Sequence, residues 1–153
     1  MKAKKRCVGY NINMNNCPFC EIVNNKKERI LAENAHGIVV LSNPRLVAGH
    51  TLVIPKRHVL KLSELTREER HELLDTVIEF QEKIISKIAT GCDIRQNYRP
   101  FIKQSDLKID HVHVHLIPRE LEDELYQKSM RFEKEVFAPL TENERQKIFS
   151  LLQ

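Results

Sequence analysis

Apolar residues fall along this chain in a few short blocks and one long periodic stretch. Ile38-Val-Val-Leu41 and Thr51-Leu-Val-Ile54 are compact apolar runs separated by a loop holding Pro44 and Gly49, and they predict two strands. Pro55 closes the second, because proline cannot donate to a strand ladder. Thr66-Arg-Glu-Glu69 has the form of a capping box, and Leu73, Leu74, Val77, Ile78, Ile84, Ile85 and Ile88 then recur at helical spacing before Gly91. The pattern predicts one helix of about six turns with a single buried stripe. Residues 93–101 predict a further strand, 110–117 a stronger one, and 21–30 leave room for a helical turn. Beyond Leu121 two more helices are expected, separated by Pro139, the second opened by Thr141-Glu-Asn-Glu144.

Strands, helix, strands and then helices point to an α+β fold: an antiparallel sheet with a long helix and C-terminal helices. The two strands after the long helix read as a hairpin joined by a short loop. No internal repeat or low-complexity tract is present.

Composition narrows the class. A length of 153 residues suits one folded domain with a real core, and 41% hydrophobic with 30% charged residues is ordinary for a globular protein. The formal charge of +4 comes from Lys2, Lys4, Lys5 and Arg6; the rest of the chain carries 21 basic and 21 acidic residues. Residues 1–13 therefore read as a basic flexible tail, and the body of the protein indicates no specific nucleic-acid partner. No apolar run approaches the roughly 20 residues of a membrane span. No apolar stretch follows the basic N-terminus, so the expected location is cytoplasmic, with no disulfide framework among Cys7, Cys17, Cys20 and Cys92.

The chemistry is concentrated in His111-Val-His113-Val-His115-Leu-Ile. On a strand the three histidines share one face, with Cα atoms about 6.6 Å apart. Three solvent-facing polar positions that happen to be histidine explain this poorly in a chain with seven histidines. Two chemical readings stand: a metal site, since His-x-His can offer two imidazoles to zinc, or nucleophilic and acid–base catalysis by neutral imidazole. Cys17-Pro-Phe-Cys20 has the spacing of a zinc half-site and of a redox pair. No strand precedes it, which favours metal.

Ala48-Gly-His-Thr-Leu-Val-Ile-Pro-Lys-Arg-His58 and His111-Val-His-Val-His-Leu-Ile-Pro-Arg119 together resemble the histidine triad (HIT) superfamily, whose signature alternates histidine with apolar residues as it does here. The likeness spans residues 14–119 and leaves 120–153 as a C-terminal helical extension. It implies an α+β homodimer that hydrolyses nucleotides at the α-phosphate, on nucleoside phosphoramidates or dinucleoside polyphosphates. His113 takes the position of the nucleophile that forms a covalent nucleotidyl-histidine, and His115 that of a phosphate contact assisting the leaving group. Zinc-bearing members would use Cys17, Cys20, His50 and His111 here, a closed and therefore structural Cys₂His₂ site.

The chain departs from the family in the approach to the triad, where many members carry Gly-Gln-Ser/Thr and this chain has Ser105-Asp-Leu-Lys-Ile-Asp110. Lys108 stands near the place of the hydroxyl residue, as a point charge for phosphate or as a solvated strand end; Ser105 is the other substitute. Asn97 lies near the family's phosphate-contacting Asn, and Ser42 and Asn43 near its ribose position, where turn chemistry before Pro44 is the plainer reading. His58 fits the family pattern and equally a surface loop, while His36 and His71 read as a turn and a helix-surface residue. Cys7 and Cys92 have no partner in this reading. Alternatives are a nucleotidyltransferase or phosphorylase of the same superfamily, a non-catalytic nucleotide-binding zinc module, and a zinc hydrolase using all three histidines.

Overall fold

In the computed structural model, residues 17–105, 107–133 and 135–152 are described. The expected basic tail, residues 1–13 with Cys7, lies outside them. The chain divides into two compact units, one ending at Leu121 and one beginning at Glu122.

The first unit is built on a five-stranded antiparallel sheet. Its strands are β1 (Ile30–Glu33), β2 (Gly37–Leu41), β3 (Thr51–Pro55), β4 (Gly91–Arg95) and β5 (Val114–Arg119), in the order β1-β2-β3-β5-β4. Helix α1 (Pro18–Asn25) precedes the sheet, and α2 (Arg67–Lys87) connects β3 to β4. The sheet is apolar on both faces. One carries Ile38, Val40, Leu52 and Ile54 against Phe19 and Ile22 of α1. The other carries Val39, Val53, Val114 and Leu116 against Val77, Phe80 and Ile84 of α2. Strands covered on both sides read as continuous apolar blocks, which is why β2 and β3 are plain in the sequence.

Thr66 caps α2 as expected: its hydroxyl accepts from the Glu69 N–H at 3.2 Å, and the Glu69 carboxylate accepts from the Thr66 N–H at 2.7 Å. Four expectations need correction. The helix does not bury one whole stripe, because Leu74, Ile78, Ile85 and Ile88 form a second, exposed line beside the buried Val77, Phe80 and Ile84. β1, only half-buried, carried too little apolar signal to be foreseen. The strand expected over 93–101 ends at Arg95, since residues 96–100 lie off the sheet, and the one expected from 110 begins its ladder only at Val114. β4 and β5 do pair antiparallel, yet residues 96–113 join them, so the connection is long.

The second unit holds a wide helical turn, Tyr126–Met130, running into α3 (Arg131–Glu133), and then α4 (Glu142–Leu152). Thr141 opens α4 with its Oγ1 accepting from the Glu144 N–H at 3.3 Å. No helix among the described residues is long and apolar enough to cross a membrane.

Candidate functional site

The triad does not lie on one uniform strand. His111 and His113 precede the β5 ladder and only His115 sits within it. A backbone bond holds the earlier part, with the Val112 N–H donating to the Val59 carbonyl at 2.7 Å, and Val59, Leu65 and Val112 pack as a small buried cluster. This clasp brings residues 58 and 111 together from distant parts of the chain. The rings of His58 and His111 meet edge-on at 4.8 Å.

Their partners are the cysteines that flank the first turn of α1. Cys17 is its N-cap and Cys20 lies in the first turn, and both are buried. Ligand atoms of Cys17, Cys20, His58 and His111 all lie within 4.8 Å of one another. His111 Nδ1 is 3.4 Å from Cys17 Sγ and 3.7 Å from Cys20 Sγ, and His58 Nδ1 is 3.3 Å from Cys20 Sγ. Tetrahedral zinc with ordinary bond lengths holds its ligands roughly 3.3–3.8 Å apart, and these three Cys–His separations fall in that range. His111 Nε2–H donates to the Pro55 carbonyl at 2.8 Å, which leaves the Nδ1 lone pair facing the sulfurs. The hydrogen bond from Cys20 draws the Cys17 thiol far below its ordinary range, assisted by His111 and His58 and opposed by burial. That is the protonation state a metal ligand needs.

His50 is therefore not the fourth member of this cluster. Gly49 has a φ of +78°, and a Cβ there would come within 3.1 Å of Pro118 and 3.2 Å of Ile88. This turn into β3 delivers His50 to His115 instead, with Nε2 2.9 Å from His115 Nδ1. The place that the family resemblance implied for His50 is taken by His58. Position in the family pattern was a signal for His58, but a loop histidine after Lys-Arg reads equally as surface.

The ring tautomers follow from the backbone. The Leu46 N–H donates to His50 Nδ1 at 3.2 Å, so the single proton of neutral His50 is on Nε2 and is given to His115 Nδ1. His115 in turn carries its proton on Nε2. His113 is ordered in the opposite sense. Its Nδ1–H donates to the His111 carbonyl at 2.7 Å, leaving Nε2 with an open lone pair. The rings of His113 and His115 lie 4.7 Å apart, and Phe19 meets that of His113 edge-on at 5.1 Å. Burial lowers the pKa of all three. His50 is brought to about 4, with the charges of His113 and Arg95 adding to burial. His115 is brought to about 3, with His113, His50 and Arg95 adding. For His113 the His111 carbonyl opposes the burial effect. The site thus presents a lone pair at one imidazole and an N–H at its neighbour.

The remaining expected residues are more scattered. Asn97 and Lys108 line a cavity of about 290 Å³ together with His111, Tyr98 and Arg99. Lys108 is also ion-paired with Asp110. Ser105 is tied to its own loop, exchanging backbone bonds with Lys108, while its Oγ accepts from the Leu107 N–H. Ser42 donates its hydroxyl to Pro44 O at 2.8 Å and its N–H to His50 O at 2.8 Å, and exposed Asn43 precedes Pro44 in the same turn. Arg57 had no expected role, and Glu69 was expected only in the capping box. Arg57 makes two contacts to the Glu69 carboxylate, at 2.9 and 2.6 Å, and ties the His58 segment to the start of α2.

Comparison with known proteins identifies the family. The HIT domain model matches residues 23–122. The chain is 34% identical over 109 residues to adenosine 5'-monophosphoramidase hnt1 of Schizosaccharomyces pombe, covering 70% of this chain and 77% of that one. It is 36% identical over 81 residues to the asymmetrical bis(5'-nucleosyl)-tetraphosphatase of the same yeast, 51% of this chain and 42% of that one. Among solved structures, a HIT family protein from Bacillus anthracis superposes with a TM-score of 0.65 at 28% identity, over 90% of this chain and 94% of that chain. With the histidine motif, the antiparallel sheet and these relatives in agreement, the chain belongs to the histidine triad (HIT) family.

Proposed function

We propose that this protein is a nucleotide hydrolase that works through a covalent nucleotidyl-His113 intermediate. The observation that carries the reading is the hydrogen bond from His113 Nδ1–H to the His111 carbonyl, which reserves Nε2 as a nucleophile. The Nε2 lone pair forms a bond to the α-phosphorus. The bond from phosphorus to the leaving group breaks with its electron pair on the departing atom, which takes the proton of His115 Nε2. Water then attacks phosphorus and returns a proton to His115, the P–N bond breaks, and a nucleoside monophosphate leaves. The relatives named above act on a phosphoramidate and on a tetraphosphate, so both are candidate substrate classes. Asn97 and Lys108, which share a cavity with His111, are candidate phosphate contacts, and Ser105, Ser42 and Asn43 are the further candidates for phosphate and ribose.

Cys17, Cys20, His58 and His111 would hold a structural zinc. With four protein donors no coordination position remains for a reacting water, so its chemistry there is to cross-link α1 to the clasp before β5. The exposed Leu74, Ile78 and Ile85 of α2, with Ile88 just after it, support a homodimer, because exposed apolar side chains of this kind favour association.

The decisive experiment traps the intermediate. Native protein mixed with labelled adenosine phosphoramidate or diadenosine tetraphosphate and quenched in base should carry label on His113, and His113→Ala should carry none and turn over neither substrate. Equal turnover by His113→Ala would overturn the proposal. A transferase or phosphorylase would show the same label and consume it with an acceptor other than water.

A further inference from the structure

The strand register sets a cation directly beside His115. Arg95, the last residue of β4, is the Cα partner of His115 in the antiparallel pairing of β4 with β5. Side chains of directly opposed residues share a face, with Cβ atoms about 4.5–5.5 Å apart. The guanidinium is steadied rather than swinging free. Asp93, two residues earlier and so on the same face, accepts from Arg95 Nη2 at 2.9 Å, and the same oxygen accepts from Arg119 Nη1 at 2.7 Å. Arg119 is largely covered, whereas the Arg95 side chain is 36% exposed. The charge of Arg95 is felt at both His50 and His115, adding to burial in holding these rings neutral.

Resting on the hydrolase reading above, we propose that Arg95 is a specificity-determining residue that reads negative charge on the leaving group and favours polyphosphate leaving groups over amines. The two classes ask different things of the site. An amine must take a proton to depart and gains nothing from an adjacent cation. A phosphate chain departs as a stable anion that needs little protonation, and negative charge builds on its bridging oxygen as the bond breaks. A guanidinium fixed next to the proton donor places positive charge beside that oxygen at the moment its own charge develops. His115 then bears most of the burden for amines and Arg95 for phosphate chains.

The test compares two substrates that share an adenylyl group, adenosine 5'-phosphoramidate and diadenosine tetraphosphate, by kcat/KM in native protein, R95L and R95K. The ratio of tetraphosphate to phosphoramidate should fall about tenfold or more in R95L, as expected for loss of a charge-assisted contact, and recover in part in R95K, which keeps the charge but not the fork. His115→Asn should move the ratio the other way. Equal losses on both substrates, or an unchanged ratio, would overturn the proposal. If R95L does not fold, R95Q reads the same ratio. Labelling of His113 separates the two levels: labelled protein with an unmoved ratio overturns only the role of Arg95, while unlabelled protein that turns over neither substrate overturns the hydrolase reading beneath it.

Discussion

His50 Nε2 lies 2.9 Å from His115 Nδ1, so the histidine before β3 and the last histidine of the triad form one hydrogen-bonded pair ordered by the Leu46 N–H. The pair determines which nitrogen of His115 carries the proton. Removing it leaves His115 free to adopt the tautomer in which Nε2 cannot donate.

His50→Ala should therefore lower kcat about 10- to 100-fold on an amine-leaving substrate, within the range of general-acid contributions, with KM within about threefold. His50→Gln, which still offers an N–H to His115, should lose less. Steady-state kinetics on both variants checks this. A change confined to KM would assign His50 to substrate binding instead.

Stability should depend on pH through the same pair. Both rings are held below their ordinary value of 6.5, His50 at about 4 and His115 at about 3. As pH falls below 6.5 the unfolded chain takes up protons at these positions while the folded chain does not. The unfolded state then binds more protons, and stability falls with pH across that window. The thermal midpoint should decline between pH 7 and pH 5, and less steeply in His115→Asn. Parallel slopes would show that other groups carry the effect.

Metal content separates His58 from His50. The native protein should hold about one zinc per chain, and chelation should lower its melting temperature, because metal binding adds to folding free energy. Cys17→Ser and His58→Ala should lose the ion, whereas His50→Ala should keep it. Elemental analysis of purified variants gives the answer, and zinc lost only in His50→Ala would refute the cluster.

Arg57→Ala should destabilise the protein by about 1–3 kcal/mol. Breaking a buried pair costs more, but the Arg57 side chain is 30% exposed and water takes up part of the loss. Glu69 is nearly buried and would keep only the Thr66 N–H among these contacts. Because Arg57 adjoins His58, zinc affinity should weaken as well. Denaturant unfolding with and without added zinc measures both.

Local signals decided much of this protein in advance. Apolar blocks specified β2 and β3, since both faces of those strands are covered. The Thr66 and Glu69 capping box specified where α2 begins, because its bonds join residues three apart. Alternating histidines and the Cys-x-x-Cys spacing declared the family and drew attention to His113 and to Cys17 and Cys20. What only the tertiary structure decided depends on contacts between distant segments. The Val112 bond to Val59 sets His111 beside His58, and the Gly49 turn sends His50 to His115, so the place that the family resemblance implied for His50 beside the cysteines is taken by His58. The register of β4 on β5 set Arg95 against His115, and a strand register is a long-range choice that no local pattern in residues 91–95 could reveal.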